Sequence, residues 1–484
     1  MWRDEVQTFV VALHSSSIKD LLSNLKFEVY PPLWYLLVWL VTRATADPIS
    51  IQILHVVLAV GVWTVIYGLS PFSRLEKILL LSSYFLFWEY FVISRCYVLI
   101  ALFAYCFVAL RERKPQSGFV HWLLLGLLAN VHLFGTIWSI VLAGTLGLGD
   151  ARRRSVHLAG ATVYITLLLI AVVIMRPPPQ YTFSDPTIRF DVARLNADVA
   201  TPLGAFVPWN FSSVGDAISL MISEAGSSIP HFWNVTITSE YVDLTKTNSE
   251  HPIRLLIVFA APIVACWFGT RNWLLVLEFA GVYLGILLVE NIWDLSGGAR
   301  HHGVIFLAFI GVFWSARAFQ PESMFSRRLL LGILFVNAIG GALSLASEMQ
   351  PFSEGYNTAA WIKQNGLTDA FIIGSHDAQV STVAAYLGRP IYYLECECSR
   401  PVGLWDPNSA LFGTRRPKLT DNDFAIRLRK AAVIAGKRDT ILIRSQPLAE
   451  NDLVLLDRIT AILLTSLTNA STDEDFWVYR LTAS

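Results

Sequence analysis

Ten apolar stretches, at roughly 49–69, 77–93, 96–110, 118–131, 133–148, 156–175, 253–269, 272–290, 303–317 and 328–346, limit what this chain can become. Backbone in hydrocarbon must satisfy its own hydrogen bonds, so runs of this kind admit membrane-crossing helices and little else. Composition agrees: 54% of residues are hydrophobic and 15% charged, against roughly 25% charged in a soluble domain, and mean hydropathy is +0.51. The expectation is a polytopic α-helical membrane protein. Formal net charge is zero, which argues against a nucleic-acid partner.

Two tracts, 77–110 and 118–148, are too long for one helix through a core of about 30 Å and slightly short for two. Charge decides between these readings. If both tracts are hairpins, one side of the membrane collects Arg74 and Lys77, Arg111, Arg113 and Lys114, Arg152 to Arg154, Arg271, and Arg317, Arg327 and Arg328, while the opposite helix ends hold only Arg95, Arg176 and Arg300. The positive-inside rule makes the crowded side cytoplasmic. Three domains follow: a first extracytoplasmic loop over 1–48, a transmembrane domain over 49–346 with a large outer loop at 176–252, and an extracytoplasmic domain over 347–484.

Within the first loop, PPLWYLLVWLV opens with Pro-Pro, is short, and carries Trp34, Tyr35 and Trp39, residues that favour the membrane interface. It is predicted to lie in the outer leaflet rather than span, which keeps the charged WRDE at 2–5 outside. After 346 the pattern alternates helix (AAWIKQNG, AQVSTVAAYLG, runs near 421–435 and 452–466) with strand (AFIIGSHD, PIYYLE, TILIRS, FWVYRL). That rhythm predicts a small α/β domain, without any glycine-rich phosphate loop, serving as an accessory or acceptor-facing lid. In the outer loop, VGDAISLMISEAG at 214–226 reads as an amphipathic helix, and Asn210 and Asn234 sit in N-x-[ST] sequons. The five cysteines are too few and scattered for a disulfide framework; Cys396-Glu-Cys398 lacks a second pair for zinc. All five read as structural.

Each polar residue at the outer face admits two readings. Asp4 is a helix N-cap or a catalytic acid; Glu28 is a solvated loop charge or a second acid. Arg95 either reaches lipid headgroups or binds a ligand. Arg300, His301 and His302 form a basic cluster after Gly-Gly, suited to lipid headgroups or to a substrate phosphate. His132 and Glu89 stand near outer helix ends, as functional groups or members of a polar network, and His55 lies inside a span as a helix-helix contact.

Together these residues resemble the GT-C membrane glycosyltransferases, which include protein O-mannosyltransferases and lipid A aminoarabinose transferases. The likeness rests on the acid pair Asp4-Glu5, YPPLWY at 30–35, SRCY at 94–97 and GGARHHG at 297–303, in that order and on one side of the membrane. It implies transfer of a sugar from a polyprenyl-phosphate carrier to an extracytoplasmic acceptor, at the cell membrane of a bacterium. By the same resemblance Asp4 is the general base and Glu5 positions it or binds sugar hydroxyls. Arg95, Arg300, His301 and His302 map to the carrier phosphate, while Glu28, Tyr30, His132 and Glu89 are further substrate-site candidates from their place at the outer face. Tyr30 replaces the histidine of many relatives. No cofactor is implied beyond the lipid-linked donor, and without a DxD in the outer loop a metal is not demanded. The family normally has a membrane helix before its first outer loop, which predicts a true start upstream of Met1. Competing readings are a flippase or transporter, which would show related halves, and a non-catalytic protein that binds lipid-linked saccharides.

Overall fold

The computed structural model describes the chain except for residues 2, 27, 115–117, 154–156, 177–203, 209–251, 294–298, 320–322, 348–349, 401–418, 450–458 and 484. The amphipathic segment expected at 214–226 and both sequons lie outside the described residues.

Three short helices come first: α1 (Arg3–His14), α2 (Ile18–Leu25) and α3 (Leu33–Thr42). Pro31-Pro32 ends the preceding turn, and α3 starts directly after it because proline suits a first helical turn. At 1.5 Å per residue α3 is about 15 Å long, half a bilayer core, as the interfacial reading expects. The helices α4 (Ile49–Leu69), α5 (Arg74–Leu81), α6 (Tyr97–Arg113), α7 (Phe119–Ala129), α8 (Leu133–Arg153) and α9 (Leu158–Ile174) follow. Beyond the outer loop come α10 (Pro252–Thr270), α11 (Trp273–Trp293), α12 (Ala299–Phe319) and α13 (Met324–Ser347). Each expected apolar stretch thus carries helix, and both long tracts break, at 90–96 and at 130–132. Among the described residues, Ile49–Leu69, Trp273–Ile292, Arg300–Phe319 and Met324–Leu345 are long and apolar enough to cross a membrane.

The stretch 77–93 is not one helix. Ser82 closes α5, and a π-helix (Tyr84–Glu89) restarts the chain, with Ser83 Oγ accepting the Leu86 N–H. Gly341 of α13 explains the close fit there: a Cβ would fall 2.0 Å from the Ser82 carbonyl oxygen. The central element is α12, packed against α6, α10 and α11 and buried at every position from Val304 to Phe313. At its far end Arg317 makes two hydrogen bonds to Glu76 (2.7 and 2.6 Å), and Arg111 at the end of α6 binds Glu278 and Ser315. The ends of α6, α8, α11 and α12 opposite these ion pairs bear Tyr97, His132, Glu290 and Arg300. The bundle therefore has one end of paired arginines and one end that holds the site.

The C-terminal domain is α14 (Gly355–Gln364), β1 (Phe371–Ser375), α15 (Asp377–Leu387), β2 (Ile391–Tyr393), β3 (Cys398–Arg400), α16 (Asp421–Ala435), β4 (Thr440–Arg444), β5 (Ile459–Leu467) and β6 (Phe476–Ala483). Its sheet order is β3-β2-β1-β4-β6-β5, with β2, β1 and β4 parallel and the rest antiparallel. Period-two alternation builds a core on each face. Ile372, Ile441 and Ile443 meet α14 and α15, while Phe371, Ile373 and Leu442 meet α16. One expectation fails: in the run predicted helical at 452–466, residues 459–466 form β5. Its isoleucines and threonines suit a strand, and an antiparallel ladder with β6 outweighs the helical spacing of its leucines. Cys396 and Cys398 are joined by a disulfide that ties the turn after β2 to the first residue of β3, a structural role.

Candidate active site

Asp4 stands in the first turn of α1, where the helix dipole favours a carboxylate. Its Oδ2 accepts hydrogen bonds from Arg95 Nη1 (2.7 Å) and Arg300 Nη1 (3.1 Å), residues 91 and 296 positions away. The three side chains keep 30%, 15% and 27% of their surface exposed, so the cluster opens to solvent. Oδ1 accepts no hydrogen bond from the described residues. Burial works against the charge, yet Arg95 and Arg300 prevail and hold the Asp4 carboxyl below its ordinary value. The capping alternative is superseded: the side chain binds arginines instead of the helix's own N–H groups.

Glu5 is buried and accepts the Ser94 N–H at 2.7 Å, which fastens the 90–96 turn that presents Arg95. Arg300 is fixed from its backbone as well, since Tyr90 Oη donates to its carbonyl at 2.6 Å. Around the triad lies a ring of aromatic and imidazole groups. Tyr30 packs on His132 at 5.3 Å between ring centroids; His132 in turn packs on Tyr97 (4.9 Å) and His301 (6.2 Å), and Tyr97 stacks on Tyr90 (5.4 Å). The tautomer of His132 follows from its bonds. Phe134 N–H donates to Nδ1 at 3.2 Å, so the proton sits on Nε2, 3.3 Å from Tyr97 Oη. Burial, with the charges of His301, Arg95 and Arg300, keeps His132 neutral, far below its usual value.

The remaining expected residues sit at the edge of this group. Glu28 accepts from Gln7 Nε2 (2.8 Å) and Tyr35 Oη (3.0 Å), and burial raises its carboxyl to about 7 despite both bonds. Glu89 is buried in the π-helix and accepts from Tyr84 Oη at 3.1 Å. His301 and His302 both face Glu290, at 3.5 and 3.4 Å. Glu290 was missed by sequence reasoning, and its only signal was a carboxylate near a helix end. His55 Nε2 meets the Tyr90 carbonyl at 3.0 Å, a packing contact as expected. Arg3 was also missed: its guanidinium binds both oxygens of Asp473 (2.7 and 2.8 Å), and its N–H donates to Glu474 (2.8 Å), so the C-terminal domain grips the start of α1 one residue before Asp4.

No protein-family model matches the chain. No curated protein matches it. Among solved structures, the chain is similar to ArnT from Cupriavidus metallidurans, a structure described as bound to undecaprenyl phosphate, with 14% identity and a TM-score of 0.34 over 93% of this chain and 87% of that one. The functional reading rests on the site itself.

Proposed function

We propose that this protein is a membrane glycosyltransferase that moves a sugar from a polyprenyl-phosphate donor to an extracytoplasmic acceptor. The observation that carries the reading is a carboxylate shared between two arginines at one end of a helical bundle. Displacing a lipid phosphate from an anomeric carbon needs a base for the acceptor hydroxyl and cations for the departing phosphate. In the resting arrangement those parts neutralise one another. A donor phosphate would recruit Arg95 and Arg300, draw them from Oδ2, and return proton affinity to Asp4 as the acceptor hydroxyl approaches Oδ1. His301 and His302, oriented by Glu290, flank the same helix end. Tyr30, partly exposed and backed by buried His132, supplies a face on which a sugar ring or the first isoprene units can pack.

Asp4→Asn tests this in purified protein supplied with a polyprenyl-phosphate sugar. Transfer is expected to fall by about 10²–10⁴-fold, the span typical of a lost acid-base group, while the variant still binds polyprenyl phosphate. Full transfer by Asp4→Asn overturns the assignment. Polyprenyl phosphate should bind more weakly to Arg95→Ala and Arg300→Ala.

A second assignment of the base has its own support. Glu28, raised to about 7, has a proton affinity better matched to neutral pH than that of arginine-bound Asp4. Glu28→Gln separates them: with Asp4 as base, transfer stays within about tenfold of wild type, whereas a loss on the scale given above moves the base to Glu28.

A further inference from the structure

The C-terminal sheet has a topological switch point. From β1 the chain passes through α15 to β2 on one side, then returns by way of α16 to β4 on the other side. Helices α15 and α16 cover opposite faces. In open α/β sheets the connections leaving two such strands diverge and leave a crevice at their carboxyl ends, the usual ligand position. Here a cavity of about 340 Å³ occupies that place. His376 and Gln379 line it after β1, Gln446 after β4, and Thr472, Asp473 and Asp475 from the turn before β6. The volume suits a small ligand.

Every lining side chain is polar, and their carbon atoms line the rest of the cavity, a mixture that suits the hydroxyls and C–H faces of a sugar better than an isoprenoid chain. No lysine or arginine lines the cavity, and its two aspartates are held in place, Asp473 by Arg3 and Gln379 and Asp475 by the Ala470 N–H, so phosphates and carboxylates meet no lining cation. Hydroxyl groups fit, since each can donate to a carboxylate and accept from an amide. His376 is held in left-handed backbone (φ 64°), its N–H bound to Glu395 at 2.6 Å. Such strain in a non-glycine residue persists where surrounding structure imposes it, and it gathers at ligand sites. Thr472 is fixed by donating to the Phe352 carbonyl at 2.7 Å.

One wall of the cavity is also the clamp on α1. Asp473 accepts Gln379 Nε2 at 2.9 Å and carries Arg3 on both oxygens, and Arg3 precedes Asp4. We infer that this crevice is a saccharide-binding site for an uncharged or amine-bearing sugar, placed beside the Asp4 centre. Its identity as a sugar site stands on the lining alone. That the sugar belongs to the acceptor rests on the glycosyltransferase reading above.

Saturation-transfer NMR on the full-length protein in detergent tests it, with methyl α-glucoside, methyl α-mannoside, glucosamine and glucose 6-phosphate as probes. Saturation of at least one of the first three is expected, with none of glucose 6-phosphate. Gln446→Ala and Gln446→Trp, the second filling the cavity, should abolish the signal, and Asp4→Asn should keep it. No signal from any neutral or amino sugar, equal signal from the phosphate, or signal unchanged in Gln446→Trp would each overturn the site. Sugar binding that survives with no transferase activity leaves the site standing and removes only its acceptor role.

Discussion

Asp4 and Glu28 belong to the same first segment, yet their surroundings push them in opposite directions. Arginines hold Asp4 ionised, whereas Glu28, buried and bonded to an amide and a phenol, is raised to about 7; Glu474, buried under α1, is raised to about 8. A folded protein that holds protons its unfolded chain has released loses stability as pH rises. For both glutamates the unfolded value is near 4.5. Their contribution is therefore complete below that value, and it is lost by about pH 7 for Glu28 and about 8 for Glu474. Thermal unfolding in detergent between pH 5 and 8.5 checks this: Glu28→Gln should flatten the lower part of the decline and Glu474→Gln the upper part. Variants whose melting temperatures track wild type in parallel across the range would refute both environments. The residue types were legible in the sequence; their opposed environments were not, because they depend on Arg95, Arg300 and Tyr35 arriving from other elements.

At the scale of elements, the approach of α12 to the π-helix sets the height of Arg300. Gly303 permits it: a Cβ there would lie 2.2 Å from Tyr90 Oη and 2.4 Å from Phe85 Cδ1. Tyr90 is buried and bonds the Arg300 carbonyl, so it cannot yield without moving the arginine. Gly303→Ala is predicted to cost about 1–3 kcal/mol, as overpacked cores do, and to lower transfer. Gly144→Ala in α8, with nothing within 4 Å, should be neutral or stabilising by up to about 1 kcal/mol. Equal melting temperatures for the two variants would contradict this packing. Helix limits were readable where the signal is local: 49–69 from an unbroken apolar run and 421–435 from helical spacing. β5 was not, since its state is chosen by β6, and neither was the break at Ser82–Ser83, where α13 presses on the backbone.

Across the whole molecule, α1 meets the C-terminal domain. Arg3 and Asp473 are 470 positions apart in sequence, so no local pattern could have joined them, yet they tie the outer-loop reading of 1–48 to that of 347–484. If one segment faces outward, both do. The opposite face is predicted from basic residues, two of which, Arg111 and Arg317, are neutralised by Glu278 and Glu76. Removing both from the tally still leaves Arg74, Lys77, Arg113, Lys114, Arg152 to Arg154, Arg271, Arg327 and Arg328 against three at the other ends. The count stays lopsided either way, since the positive-inside rule weighs basic residues near helix ends rather than net charge. Cysteine labelling in intact cells can decide it. Cys96 and Cys266 are buried and Cys396–Cys398 is a disulfide, so a Cys106→Ala background carries little reactive thiol. In that background Val433→Cys, at a position 82% exposed on α16, should react with a membrane-impermeant maleimide added outside. Lys114→Cys, after α6, should react only once the membrane is permeabilised. The reverse pattern would put Asp4 on the cytoplasmic side and remove the extracytoplasmic acceptor with it.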